Sequence, residues 1–182
     1  SKVKTVKDDV GTLVTLKAIL RNRNVLILTF IRTSYAMSNT VFMSLYAVFA
    51  VQDLGFTPSL AALLFSVVGF SNAVIRFPAG RRADTFGPKK VLLIAFSTLI
   101  IVYISISYAK DIAPIFILLV LFGACWGTRA VTEWSTLTNS VTQETKTISI
   151  SYLGSIWGVG ATLGSFMVGG MGEVFPFSTI FL

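Results

Sequence analysis

The sequence predicts an all-α membrane protein, a polytopic helical bundle with five full transmembrane helices and the start of a sixth. Three observations carry that prediction. Hydrophobic residues make up 54% of the chain and charged residues only 13%, where soluble domains carry about 25% charged residues. Mean hydropathy is +0.78. The apolar residues also gather in runs long enough to cross a hydrocarbon core at about 1.5 Å per residue. Short segments of charge, Gly and Pro separate those runs, the clearest being Gly80–Lys90, GRRADTFGPKK. Neither run flanking it has a continuous polar face, so neither reads as an amphipathic surface helix.

Residues 1–23 carry six Lys or Arg and read as a cytoplasmic basic leader or linker. Val10, Leu13, Ile19 and Leu20 among those charges fit a short helix on the anionic inner leaflet; a flexible linker fits equally well. Residues 24–182 form the transmembrane bundle. Its helices are expected at about 24–51, 59–79, 91–109, 112–140 and 148–171, with a sixth from about 177. Pro58 and Pro114 fall in first turns, where a missing N–H costs nothing. Pro88 and Pro176 precede the third and sixth helices. Gly80–Lys90 is then a tight loop between helices two and three.

The basic residues set the orientation. With the leader inside, the inner segments hold six, five and one Lys or Arg: the leader, the Arg76–Lys90 region and Lys146. The outer loops hold one, Lys110, and Arg32 and Arg129 lie within spans. This bias places residues 1–23 in the cytoplasm. It also explains the pI near 9.8 without nucleic acid, since the charge is confined to one side of the spans.

Charges inside spans cost about 2.5–3.5 kcal/mol each on insertion scales and mark functional positions. Arg32, Tyr35, Asn39 and Tyr46 share one face of helix one, and Trp126, Arg129, Glu133 and Thr136 share one face of helix four. Arg32 lies roughly 12 Å from the cytoplasmic end of its helix, Glu133 roughly 9 Å and Arg129 roughly 15 Å. These depths allow Glu133 to pair with Arg32, with Arg129, or with both. The plainer reading is local neutralisation of Arg129 at i, i+4. Asn72 and Arg76 are weaker candidates, with Arg76 expected to snorkel to the interface.

The chain has no His, and its single cysteine, Cys125, sits in an apolar run. His-based zinc, haem and triad chemistry are therefore excluded, as is an internal disulfide. No catalytic residue, metal site or cofactor is expected. The chain opens without Met and ends inside the apolar stretch FPFSTIFL, so it is read as a piece of a longer polytopic protein.

The loop fits G-x-x-x-D-x-x-G-x-[RK]-[RK] at Gly80, Asp84, Gly87, Lys89 and Lys90, with Ala83 small and Arg81 adding charge. In this it resembles the major facilitator superfamily, whose two six-helix halves each carry such a loop after the second helix. Thr85 and Pro88 stand where that family usually has basic residues. From about Leu16 to Leu182 the order of helices also matches one half. The resemblance implies that helices one and four line a central cavity, which makes Arg32, Tyr35, Asn39, Trp126, Arg129 and Glu133 candidates for solute or proton contact. It implies a conformational-gating role for Gly80, Arg81, Asp84, Gly87, Lys89 and Lys90. Gly154/Gly158 and Gly160/Gly164 are small-xxx-small pairs suited to close helix packing, static or sliding. Gly160 is followed by Ala161 and not by the proline of amino-terminal halves, and Arg129 follows Gly127 where those halves place Arg before Gly. Both favour the carboxy-terminal half.

The implied function is secondary active transport of a small solute by alternating access, with Glu133 available for proton coupling and the arginines for an anionic solute. A drug, metabolite or organic anion would fit, in uptake or efflux. The alternative is a channel-like or structural membrane subunit, which would not need the Gly-Asp-Gly basic loop. An intramembrane enzyme is disfavoured by the absence of His and of paired carboxylates in the spans. The implied partners are the lipid bilayer, the other half of the transporter and the solute, with no nucleic acid. The implied location is the plasma (cell) membrane.

Overall fold

Apolar runs of this length have one local solution in lipid. Every backbone N–H and C=O must be paired within the segment, and the α-helix does that. The computed structural model describes residues 17 and 19–172, and the regular structure among them is helical throughout. The helices are α1 (Arg23–Gln52), α2 (Pro58–Phe86), α3 (Pro88–Tyr108), α4 (Ile112–Ser140) and α5 (Gln143–Gly172). The first four are long and apolar enough to cross a membrane. α5 is as long as α1, but its six glycines from Gly154 to Gly170 and its serines dilute its hydropathy. The expected sixth helix and most of residues 1–23 lie outside the described residues. Lys17, Ile19 and Leu20 are helical.

Three expected boundaries are corrected. The segment Gly80–Phe86, expected as loop, is the last two turns of α2, and Pro88 opens α3. The connection shrinks to Gly87, at φ 86° and ψ 140°, a conformation that essentially only Gly tolerates. Hydropathy marks where the chain leaves lipid, but the backbone stays helical while good helix formers such as Ala79, Arg81, Arg82 and Ala83 continue it. Pro78 sits inside α2 and removes one i→i−4 bond, which membrane helices accommodate. α5 likewise starts at Gln143 and not near 148, with Glu144 in its first turn, where the helix dipole favours an acid. Thr57 caps α2 by accepting a hydrogen bond from the Leu60 N–H (3.2 Å).

The described residues divide into two compact units, residues 17 and 19–40 with 134–165 and residues 41–133 with 166–172. The first has a core of Ile19, Val25, Leu28, Leu137 and Leu153, with Trp134 and Tyr152 packed on it. Ile19, from the predicted leader, is thus buried in that core. Asn22 accepts from the Asn24 N–H at the start of α1 (3.0 Å), and its own amide donates to the Ser140 carbonyl at the end of α4 (2.8 Å). One side chain thereby satisfies an orphan group at each of two helix ends.

Glycines bring helices together in both units. A Cβ on Gly160 would sit 2.5 Å from the Thr33 carbonyl oxygen, and one on Gly164 would sit 2.6 Å from that of Met37. α1 and α5 therefore approach through these two positions. Gly154 and Gly158 do not share in this contact: a Cβ there would meet nothing within 4 Å among the described residues. Six residues separate the pairs, and six residues rotate about 240° around a helix. In the second unit Gly123 and Gly127 of α4 lie against the backbone of α2 at Val68 and Asn72.

Candidate functional site

α1 contributes Arg32, Tyr35 and Asn39 to the first unit, at 8%, 4% and 5% exposure. Three- and four-residue steps put them on one face. The Arg32 guanidinium lies over the Trp134 ring, 4.7 Å from its centroid, and 5.8 Å from that of Trp157. A cation on an indole face is attracted by the ring quadrupole, worth about 2 kcal/mol once desolvated. Tyr35 packs against Trp157 with ring centroids 6.0 Å apart and donates to Asn39 Oδ1 (3.4 Å). The result is an aromatic-walled arginine with a Tyr–Asn pair on the same helix face. Trp134 and Trp157 are site residues that sequence reasoning misses.

In the second unit Arg129 and Glu133 form an ion pair within α4, and neither side chain is more than 2% exposed. This is the i, i+4 arm of the pairing expected from the sequence. Thr132 beside them is fully buried and donates to the Thr128 carbonyl (2.7 Å). One turn away, Trp126 contacts Phe122, which packs on Phe42 and Tyr103 with centroids 4.6 and 5.8 Å apart. Phe42 also stacks on Tyr46 (5.6 Å). Among the described residues, the buried hydroxyls of Tyr46 and Tyr103 have no hydrogen-bond partner. Of this aromatic cluster the sequence singles out only Trp126 and Tyr46; the recurrence of Phe42 and Tyr46 at i, i+4 is the signal that points to more. Arg76 is exposed, and its Nε donates to the buried Asn72 Oδ1 (3.1 Å).

The predicted gating segment is spread along the end of α2 and the start of α3. Gly80 faces Val131 of α4, and a Cβ at Gly80 would sit 3.5 Å from the Val131 Cγ1. Arg81 lies over the Phe77 ring at 4.4 Å. Asp84, Lys89 and Lys90 are exposed, and Gly87 makes the turn. No group of metal-ligating side chains large enough to hold an ion occurs among the described residues.

An ion pair buried in a helix long and apolar enough to cross a membrane makes Arg129 and Glu133 functional-site candidates. Neither a curated protein nor a solved structure matches the chain. The family model described as Major Facilitator Superfamily does match, over residues 28–182. That span contains Arg32, the Arg129–Glu133 pair and the Gly80–Lys90 segment. The chain belongs to the major facilitator superfamily, a family of multi-pass membrane transporters.

Proposed function

We propose that the protein is a secondary active transporter that moves a small organic anion across the cell membrane by alternating access between two helical bundles, with this chain supplying the carboxy-terminal one. Residues 1–23 then face the cytoplasm. The observation that carries the reading is the burial of Arg129 with Glu133 inside α4. A membrane helix retains such a pair, against its desolvation cost, where the charges serve a solute or proton path.

The chemistry follows from charge balance. When Glu133 takes a proton, Arg129 loses its counter-ion and becomes available to the negative group of a solute. When the solute leaves, Glu133 releases its proton and the pair re-forms. Arg32, held against Trp134 and Trp157, is a buried cation of the first unit. Asp84, exposed near the turn at Gly87, is available to the facing bundle as a contact made in one state and broken in the other.

The test is flux by the full-length protein in proteoliposomes, with a panel of labelled small organic anions. Alternating access predicts saturable uptake that is accelerated by unlabelled solute on the far side. Flux without that acceleration would favour a channel.

A further inference from the structure

We propose that the second unit holds an anionic phospholipid of the inner leaflet in a groove between α2, α3 and α4. The groove has a volume of about 540 Å³, within the range of built ligand sites, roughly 300–1,000 Å³. Its floor is made by small buried residues: Ala79, Ala95 and Cys125. Their size is what leaves the space. Ile94 and Leu121, 66% and 40% exposed, form its open walls. Thr98 lies deeper, and its hydroxyl donates to the Ile94 carbonyl (2.9 Å).

The polar end of the groove is basic. Arg82, in the last two turns of α2, and Lys90, in the first turn of α3, both line it, and both are exposed. The turn at Gly87 brings them to the same membrane surface, the one the positive-charge bias assigns to the cytoplasm. Among the described residues, no carboxylate lines the groove. Thr98 is eight residues beyond Lys90, roughly 12 Å deeper along the helix. From headgroup level inward, the site presents two cations and then an apolar channel open to the side. Basic pockets between spans at the cytoplasmic face select anionic headgroups, and the apolar channel below fits an acyl chain. A free anion would use only the basic end, and a neutral lipid only the channel.

Native mass spectrometry of the full-length protein, released from micelles containing equal phosphatidylglycerol and phosphatidylcholine of identical acyl chains, tests this. The wild type should retain phosphatidylglycerol over phosphatidylcholine by about tenfold or more, in line with about 1 kcal/mol for each basic residue at the surface. Arg82→Gln with Lys90→Gln should bring the two lipids to parity. Ala95→Phe, which fills the channel and leaves both cations, should also abolish retention; Ala124→Leu serves the same purpose if that variant does not fold. Glycerol phosphate, which has no chains, should not compete. Parity in the wild type, preference surviving loss of both cations, or full retention in the filled groove would each overturn the proposal.

Discussion

Arg129 and Glu133 pair one helical turn apart on α4, with side chains only 2% and 0% exposed. The order Arg before Glu is the less favourable one on an isolated helix. The pair therefore owes its persistence to burial: an ion pair taken out of water is weakly stabilising as a pair, but each charge is costly alone.

Glu133→Gln should accordingly lower unfolding stability by about 3–5 kcal/mol, and adding Arg129→Gln should restore part of the loss. Denaturation of the wild type, both single variants and the double variant in detergent gives the cycle. A double variant no more stable than Glu133→Gln would show that Arg129 is not the charge left stranded.

Arg32 is expected to couple to Trp134 across the 4.7 Å separation. The interaction energy from Arg32→Met, Trp134→Leu and their combination should be about 0.5–2 kcal/mol. Additive losses would mean that the indole only fills space.

The two glycine pairs of α5 should separate cleanly. Gly160→Ala forces a methyl against the Thr33 carbonyl and the Ala36 side chain and should cost about 1–3 kcal/mol. Gly154→Ala meets nothing among the described residues and should change stability by no more than about 0.5 kcal/mol. Thermal unfolding of the two variants side by side decides it, and equal losses would contradict the α1–α5 contact.

Asp84→Asn should leave insertion and topology intact, because Arg81, Arg82, Lys89 and Lys90 remain. Transport should fall roughly fivefold or more if the carboxylate biases one access state. Wild-type transport in that variant would reduce the segment to a topological signal.

Much of this architecture is legible in the sequence, for identifiable reasons. α4 can be bounded at residues 112–140, because Pro114 and the charged pair Lys110–Asp111 mark its start and polar residues crowd its end. Hydropathy cuts α2 short at residue 79, because it stops at the membrane surface and the helix does not. Spacing on one helix puts Arg129 within reach of Glu133, but depth along the helices leaves Arg32 open as a partner too. Trp134 and Trp157 cannot be placed around Arg32 in that way, since their arrangement depends on how α4 and α5 pack against α1. Gly123 and Gly127 carry the same four-residue signal as the α5 pairs. Spacing does not say which of these pairs meets a neighbouring helix; packing decides that.

The proposed coupling of proton to solute through Glu133 is open to one direct test. The direct measurement compares wild type and Glu133→Gln in vesicles, at a temperature where the variant stays folded. One arm follows exchange of labelled for unlabelled solute, and the other follows accumulation driven by a pH gradient. The variant should still exchange, because a neutral residue 133 leaves Arg129 able to hold the solute, but it should no longer accumulate solute against a gradient. Undiminished pH-driven accumulation in Glu133→Gln would contradict that role.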